Sequence, residues 1–187
     1  CSRQCDHTCL RIGLRLFDMQ STGAAAAVVA EPILSAGGVI VPPEGYFAEL
    51  SEACNQRGMK LIFDEAQTAF GRIGYWSAAE KIGVTPDIMT MSKTLGGGVP
   101  LAGVLTSDII EDQAHAAGFN FYTSHVADPM PAAVGLAVIN VIEKENLRQR
   151  AIDQGNYLRQ QLQILAQRHE AIGDIRGEGL LVGVELV

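Results

Sequence analysis

An α/β fold built on a largely parallel sheet is what this sequence predicts, and three observations carry that expectation. Three short apolar runs each end in polar residues: 24–30 before Glu31, 61–63 before Asp64 and Glu65, and 88–91 before Ser92 and Lys93. Runs of that length that end in turn signals suit strands buried on both faces, as in a parallel sheet. Helical periods separate the runs, which is the strand–helix–strand grammar of α/β domains. Finally, 187 residues of which 48% are hydrophobic suffice to bury one core of ordinary domain size.

The elements follow in order. After the first strand, residues 43–54 place Tyr46, Phe47, Leu50, Ala53 and Cys54 on one helical face, with Gly58 just beyond as a C-cap. Residues 76–82 read as a short helix stopped by Gly83 and Pro86, and 101–105 as one more strand. After Pro129 the period changes. Residues 132–143 form an apolar helix, and 147–169 an amphipathic one with Leu147, Ala151, Leu158, Leu162 and Leu165 on one face. The stretch Arg176-Gly177-Glu178-Gly179 then turns into a strand over 180–186. A chain that starts without Met and ends inside a strand is expected to be part of a longer protein.

Charge narrows the function classes. A formal net charge of −7 offers no basic footprint for nucleic acid or an anionic membrane surface. No apolar run reaches the length of a membrane span, and the N-terminus has no signal-peptide core. A soluble, cytoplasmic protein with small-molecule partners is expected. Cys1, Cys5 and Cys9 recur around His7, with Cys54 apart. Without Cys-x-x-Cys pairs, reduced thiols in a loop or helix turn are favoured over zinc.

Ligands of open parallel sheets sit beyond the carboxyl ends of the strands, and there Glu31, Asp64, Gln67 and Lys93 gather. A simple ion pair between lysine and carboxylate is one reading, and a reactive site is the other. A P-loop places its glycines before the lysine, whereas Gly96, Gly97 and Gly98 follow Lys93; Pro100 and the glycine spacing also break a dinucleotide fingerprint. A desolvated amine can instead condense with an aldehyde, and adjacent glycines allow close approach. If the aldehyde is pyridoxal 5'-phosphate, its ring nitrogen needs a carboxylate, for which Asp64 is placed, and Gln67 can hydrogen-bond the ring oxygen.

Ala30-Glu31-Pro32-Ile33, Phe63-Asp64-Glu65-Ala66-Gln67-Thr68 with Gly71-Arg72 and Gly74, Pro86-Asp87-Ile88 and Ser92-Lys93-Thr94-Leu95-Gly96 stand in the order and spacing of class III pyridoxal-phosphate aminotransferases, and the chain resembles that family over nearly its whole length. Within it, Ile33-Leu34-Ser35-Ala36-Gly37-Gly38, the stretch 121–129 and Ile172-Gly173-Asp174-Ile175-Arg176-Gly177 are most similar to the 2,2-dialkylglycine decarboxylase branch. The resemblance implies a three-layer α/β/α, aspartate-aminotransferase-like large domain over 1–134. Residues 135–187 would be connecting helices and the start of a smaller α+β domain.

It further implies that Lys93 bonds pyridoxal 5'-phosphate and then moves a proton, that Asp64 serves the ring nitrogen, and that Gln67 serves the ring hydroxyl. Glu31 would floor the site or act as a structural hydrogen-bonding carboxylate. Ser124, with Thr123 beside it, would bind the cofactor phosphate across a dimer interface. Ser124, the Val126 carbonyl and Asp128 would hold K+ or Na+, unless Asp128 is an N-cap. Ala36 stands where that branch carries a serine near the substrate. The family's N-terminal phosphate-binding turn, its ring-stacking aromatic and its downstream carboxylate-binding arginine have no counterpart here. The implied activity is decarboxylating transamination of a 2,2-dialkylglycine with pyruvate as amino acceptor, in a homodimer or dimer of dimers with active sites at the subunit interface. The alternatives are a non-decarboxylating ω-aminotransferase or a non-catalytic remnant of the same fold.

Overall fold

A computed structural model describes residues 5–187, so Cys1 of the cysteine cluster lies outside the described residues. Four strands, β1 (Ala27–Ala30), β2 (Lys60–Asp64), β3 (Ile88–Met91) and β4 (Gly103–Thr106), form one sheet in the order β1-β2-β3-β4. The first three are parallel, as expected; β4 runs antiparallel to β3. It begins two residues later than the sequence suggested. Residues 92–102 return the chain through a 3-10 turn (Lys93–Gly96) and the three glycines, without a crossover helix, and such a link delivers an antiparallel neighbour.

The core lies on one face of the sheet. Helix α1 (Thr8–Gln20) contributes Leu10, and α2 (Tyr46–Gln56) contributes Phe47, Leu50 and Cys54, against Leu61 and Phe63 of β2. Pairing of Val28 with Leu61, and of Phe63 with both Ala30 and Met89, brings one apolar stripe across three strands. The Phe47 and Phe63 rings meet edge to face, 4.9 Å between centroids. The strands are not buried on both faces as predicted: Ile62 and Thr90 are half-buried and Val29 is 67% exposed. Helices α1 and α2 cover the Leu61 face, and among the described residues nothing covers the opposite one as fully.

Cys5 precedes α1, Cys9 lies on it and Cys54 is buried in α2, all as free thiols. Burial foremost, then the neighbouring Asp87, pushes the Cys54 thiol up against the opposing pull of Arg57. Two helices were not expected. In α1 the spacing of Leu10, Leu14 and Phe17 is the missed signal. Helix α4 (Asp108–Ala116) has no buried residue and shows mainly its Ser107 cap, whose hydroxyl accepts from the Ile110 N–H. Between them, α3 (Ala78–Ile82) is confirmed and ends at Gly83 in the left-handed region.

Helix α5 (Pro129–Lys144) runs unbroken through the 134/135 boundary drawn between domains. Helix α6 (Leu147–Ala166) ends three residues early, and its packed face differs from the leucine stripe. Ala151 and Gly155 are buried while Leu158 and Leu165 are exposed. The reason is the hairpin that follows. Residues 176–178 are not a turn but the end of β5 (Ile172–Glu178), which pairs antiparallel with β6 (Leu181–Leu186). The hairpin tip wedges between α6 and the 71–74 corner: a Cβ on Gly155 would lie 1.9 Å from the Gly179 carbonyl oxygen, and one on Gly179 would lie 2.6 Å from the Ile73 carbonyl carbon. Small residues, not leucines, therefore make this contact. Among the described residues no helix is long and apolar enough to cross a membrane.

Candidate active site

Parallel register sets the site. Ala30 pairs with Phe63, and Asp64 pairs with Thr90, so Glu31 and Asp64 lie side by side at adjacent strand ends. Lys93 follows β3 by two residues, at the head of the 3-10 turn. The four residues read as an edge cluster do sit at one carboxyl edge of the sheet.

Lys93 adopts a left-handed backbone, φ 49°, which a non-glycine residue rarely holds and which is common at functional positions. Its side chain is exposed, not desolvated as predicted. The ion-pair reading also fails. Lys60 reaches Asp87 at 3.0 Å and Lys81 reaches Glu178 at 2.7 Å, but among the described residues no carboxylate lies within 4.0 Å of the Lys93 ammonium. Lys93 and Gln67 border one cleft of about 450 Å³, together with Arg72, Thr94, Gly97 and Gly98.

Asp64 is half-buried at the end of β2. Its Oδ1 accepts from the Ala66 N–H at 3.0 Å, and its Oδ2 has no partner among the described residues. Glu31 accepts from the Ser35 N–H at 3.1 Å and from the Ser35 hydroxyl, the contacts of a loop-holding carboxylate. Both carboxylates border a second, mostly apolar cavity of about 930 Å³ that runs toward α1 and α2. Arg176 steadies the same loop from the hairpin: its Nε donates to the Gly38 carbonyl at 2.6 Å, while Asp174 and Glu185 hold its Nη1 at 2.7 and 2.6 Å.

The remaining predicted site residues are not gathered here. Thr123, Ser124 and Val126 are exposed in an irregular stretch and border neither cavity. Asp128 occupies the N-cap position of α5 but makes no side-chain cap bond, because its carboxylate pairs with the His125 Nδ1 at 2.7 Å. Among the described residues no three His, Cys, Asp or Glu side chains are grouped to hold a metal ion. Ala36 is exposed on the loop that Glu31 and Arg176 hold.

Sequence reasoning missed Glu65. It is fully buried and accepts from the Ala78 and Ala79 N–H groups at 2.9 and 2.8 Å and from the Thr68 hydroxyl, which closes the loop that carries Gln67. A carboxylate at the first turn of a helix suits the orphan N–H groups there. Its signal was faint, since Glu65 stands beside a carboxylate with a more evident use.

The profile of the family described as Aminotransferase class-III matches residues 3–187. An uncharacterized aminotransferase of Schizosaccharomyces pombe is 47% identical over 171 residues, covering 91% of this chain and 38% of that protein. A leucine/methionine racemase of Thermococcus litoralis is 41% identical over 162 residues, 87% of this chain and 36% of that one. The crystal structure of a Bacillus anthracis aminotransferase superposes with a TM-score of 0.90 at 33% identity, over 96% of this chain and 41% of its own. The chain thus spans about two fifths of the length of these relatives.

Proposed function

Because this chain belongs to the class-III aminotransferase family, we propose that it carries the cofactor-anchoring part of a pyridoxal 5'-phosphate-dependent transaminase. The observation that supports this most is Lys93: an amine without an ion-pair partner among the described residues, held in a left-handed backbone, bordering a cleft with Gln67 at the carboxyl edge of the sheet. The donor set fits the cofactor chemically, with an amine for its aldehyde, an amide for its ring hydroxyl and the open Asp64 Oδ2 for its ring nitrogen. Bound there, pyridoxal phosphate supplies a ring that accepts the electron pair of the substrate bond that breaks.

Each side chain then has a distinct task. Asp64 keeps a proton on the ring nitrogen, and Ala66 holds its other oxygen so that the carboxylate cannot turn away. Gln67 donates an amide N–H to the ring hydroxyl. The Lys93 Nζ takes a proton from the substrate carbon and returns it elsewhere, as a general base and then acid. Glu31, through Ser35, fixes the loop beside the substrate. In the same reading Ser124 and Thr123 serve the phosphate from across a homodimer interface, and Ser124, the Val126 carbonyl and Asp128 take K+ or Na+. The substrates are an amine or amino acid and a 2-oxo acid in the cytoplasm.

The finer reading is a decarboxylating transaminase for 2,2-dialkylglycines with pyruvate as acceptor, supported by the stretches 33–38, 121–129 and 172–177. An ω-aminotransferase that releases no carbon dioxide is the second reading, favoured by Ala36 where the decarboxylating branch has serine. A racemase among the relatives makes the choice of substrate bond a separate question from the shared framework. A non-catalytic remnant would have no use for a Lys93 without a carboxylate partner among the described residues at the same sheet edge as Asp64.

Full-length protein reconstituted with the cofactor tests the core claim: a visible absorption band is expected and should be lost in Lys93→Ala. A band that survives the substitution removes Lys93 from this role. Carbon dioxide released from 2-aminoisobutyrate in the presence of pyruvate selects the decarboxylating reading, and transamination without it selects the second.

A further inference from the structure

Arg176 joins the β5–β6 hairpin to a loop 138 residues earlier in the chain. Its Nη1 donates to Asp174 and Glu185, but those carboxylates are 57% and 51% exposed, and ion pairs of that kind contribute little to stability. Their effect is orientation. Asp174 on β5 and Glu185 on β6 face each other in register and grip Nη1 between them, which turns Nε to the Gly38 carbonyl at 2.6 Å.

The receiving loop is closed and strained. Leu34 and Ile40 exchange N–H to carbonyl bonds at 3.0 Å, and the Gly38 and Val39 N–H groups both donate to the Ser35 carbonyl, at 3.2 and 3.0 Å. Gly38 has φ 117°, and Val39, a β-branched residue, is held at φ 53°, a conformation that persists only where its surroundings enforce it. Two contacts from the hairpin enforce it here. One is the Arg176 bond. The other is Gly183 of β6: a Cβ there would lie 2.9 Å from the Val39 Cβ, so the missing side chain lets Val39 lie against the strand.

The near end of this loop lies at the site. Glu31 leaves β1 beside Asp64, accepts from the Ser35 N–H and hydroxyl, and borders one cavity with Leu34, Ile40 and Asp64. The hydrogen-bonded turn carries any shift of Gly38 to Ser35 and Ala36. Arg176 itself borders neither that cavity nor the Lys93 cleft.

We propose that Arg176 is a positioning residue: through the Gly38 carbonyl it fixes the 34–40 loop against the Glu31 and Asp64 edge, and so sets how tightly the site holds the amino donor. This rests on the reading above, in which Asp64 serves the cofactor ring and the loop lies beside the substrate. A loop held loosely must be ordered when substrate binds, which weakens binding without altering the groups that move the proton.

The test uses full-length enzyme as wild type, Arg176→Gln, Arg176→Lys, Gly183→Ala and Glu178→Gln. The last is the control: it removes the partner charge of Lys81, 2.7 Å away on the same hairpin, and leaves the bond to Gly38 in place. Without cofactor, hydrogen exchange of the 34–40 amides is followed. With cofactor, bleaching of the visible band by L-alanine, the amine formed from pyruvate, gives an apparent dissociation constant and a limiting rate. Loss of one bond from a charged donor should raise that constant about tenfold in Arg176→Gln, keep the limiting rate within about threefold, and speed exchange at 34–40 by about tenfold. Gly183→Ala displaces Val39 from the second contact and should show the same pair of changes; it carries the test if Arg176→Gln does not fold. Arg176→Lys keeps a charged donor without the fork and should recover part of the loss. Glu178→Gln should match the wild type in both measurements. Wild-type affinity and exchange in folded Arg176→Gln overturn the proposal. So does equal weakening in Glu178→Gln, which would make the effect a general loosening of the hairpin. Failure of the underlying reading shows separately, as a wild type without the visible band, and the exchange data then still decide whether Arg176 holds the loop.

Discussion

Asp64 and Glu65 are neighbours in sequence and opposites in use. Asp64, at the end of β2, is half-buried and leaves one carboxylate oxygen open at the sheet edge. Glu65 is fully buried, and its two oxygens take two backbone N–H groups and a hydroxyl. Successive residues along an extended chain point to opposite sides, so one borders the apolar cavity at the sheet edge and the other turns into the corner formed by residues 65–80. The difference teaches how the fold divides labour. The buried carboxylate of the corner is satisfied, while the carboxyl edge of the sheet holds groups with unfilled capacity among the described residues: the Lys93 amine and the Asp64 Oδ2.

Substitutions should separate the two regions, starting with the largest effect. Removing the amine in Lys93→Ala should lower turnover by at least about a thousandfold while stability stays within about 0.5 kcal/mol, as activity assays and thermal denaturation would show. Glu65→Ala should do the reverse, costing about 3 kcal/mol or more because buried N–H groups lose their acceptors. If chemical denaturation finds Asp64→Asn as costly as Glu65→Ala, the contrast between the two carboxylates is wrong. The corner can also be struck from α6. A methyl at Gly155 meets the Gly179 oxygen at 1.9 Å, so Gly155→Ala should cost roughly 2–3 kcal/mol. On the exposed side of α1, where a Cβ at Gly13 meets nothing within 4 Å, Gly13→Ala should stabilise by about 0.5–1 kcal/mol.

An effect of similar size, but dependent on pH, lies at the opposite end of the sheet. Burial works to raise the Asp87 carboxyl, but the Leu61 N–H at 2.8 Å and the Lys60 ammonium at 3.0 Å outweigh it and hold the group below the usual range. A carboxyl lowered in the folded state stabilises above its unfolded value of about 3.9 and loses that contribution as pH falls through the lower folded value. Asp87→Asn should therefore cost about 1 kcal/mol at pH 7 and much less in acid, measured as the pH dependence of the unfolding midpoint. A pH-independent cost would mean that the bond to Leu61 matters and the charge does not.

Much was legible in the sequence because local rules governed it. The apolar runs, the turn residues and the 43–54 helical face specify β1, β2, β3 and α2 without reference to the rest of the chain. The order of Glu31, Asp64, Gln67 and Lys93 after those runs places them at one edge by parallel topology alone. What the sequence could not show depended on partners far along the chain. The antiparallel sense of β4, the choice of Gly155 over Leu158 as the packing face of α6 and the pairing of β5 with β6 follow from which surfaces meet. The same holds for Glu65, whose value lies in N–H groups 13 and 14 residues away. Lys93 combines both kinds of information. Its type and its glycine neighbours were readable as chemistry, but its exposure and the lack of a carboxylate partner among the described residues emerged only once the tertiary structure had assigned Asp87 to Lys60 and Glu178 to Lys81, because an ion pair forms only where the fold brings two charges within reach.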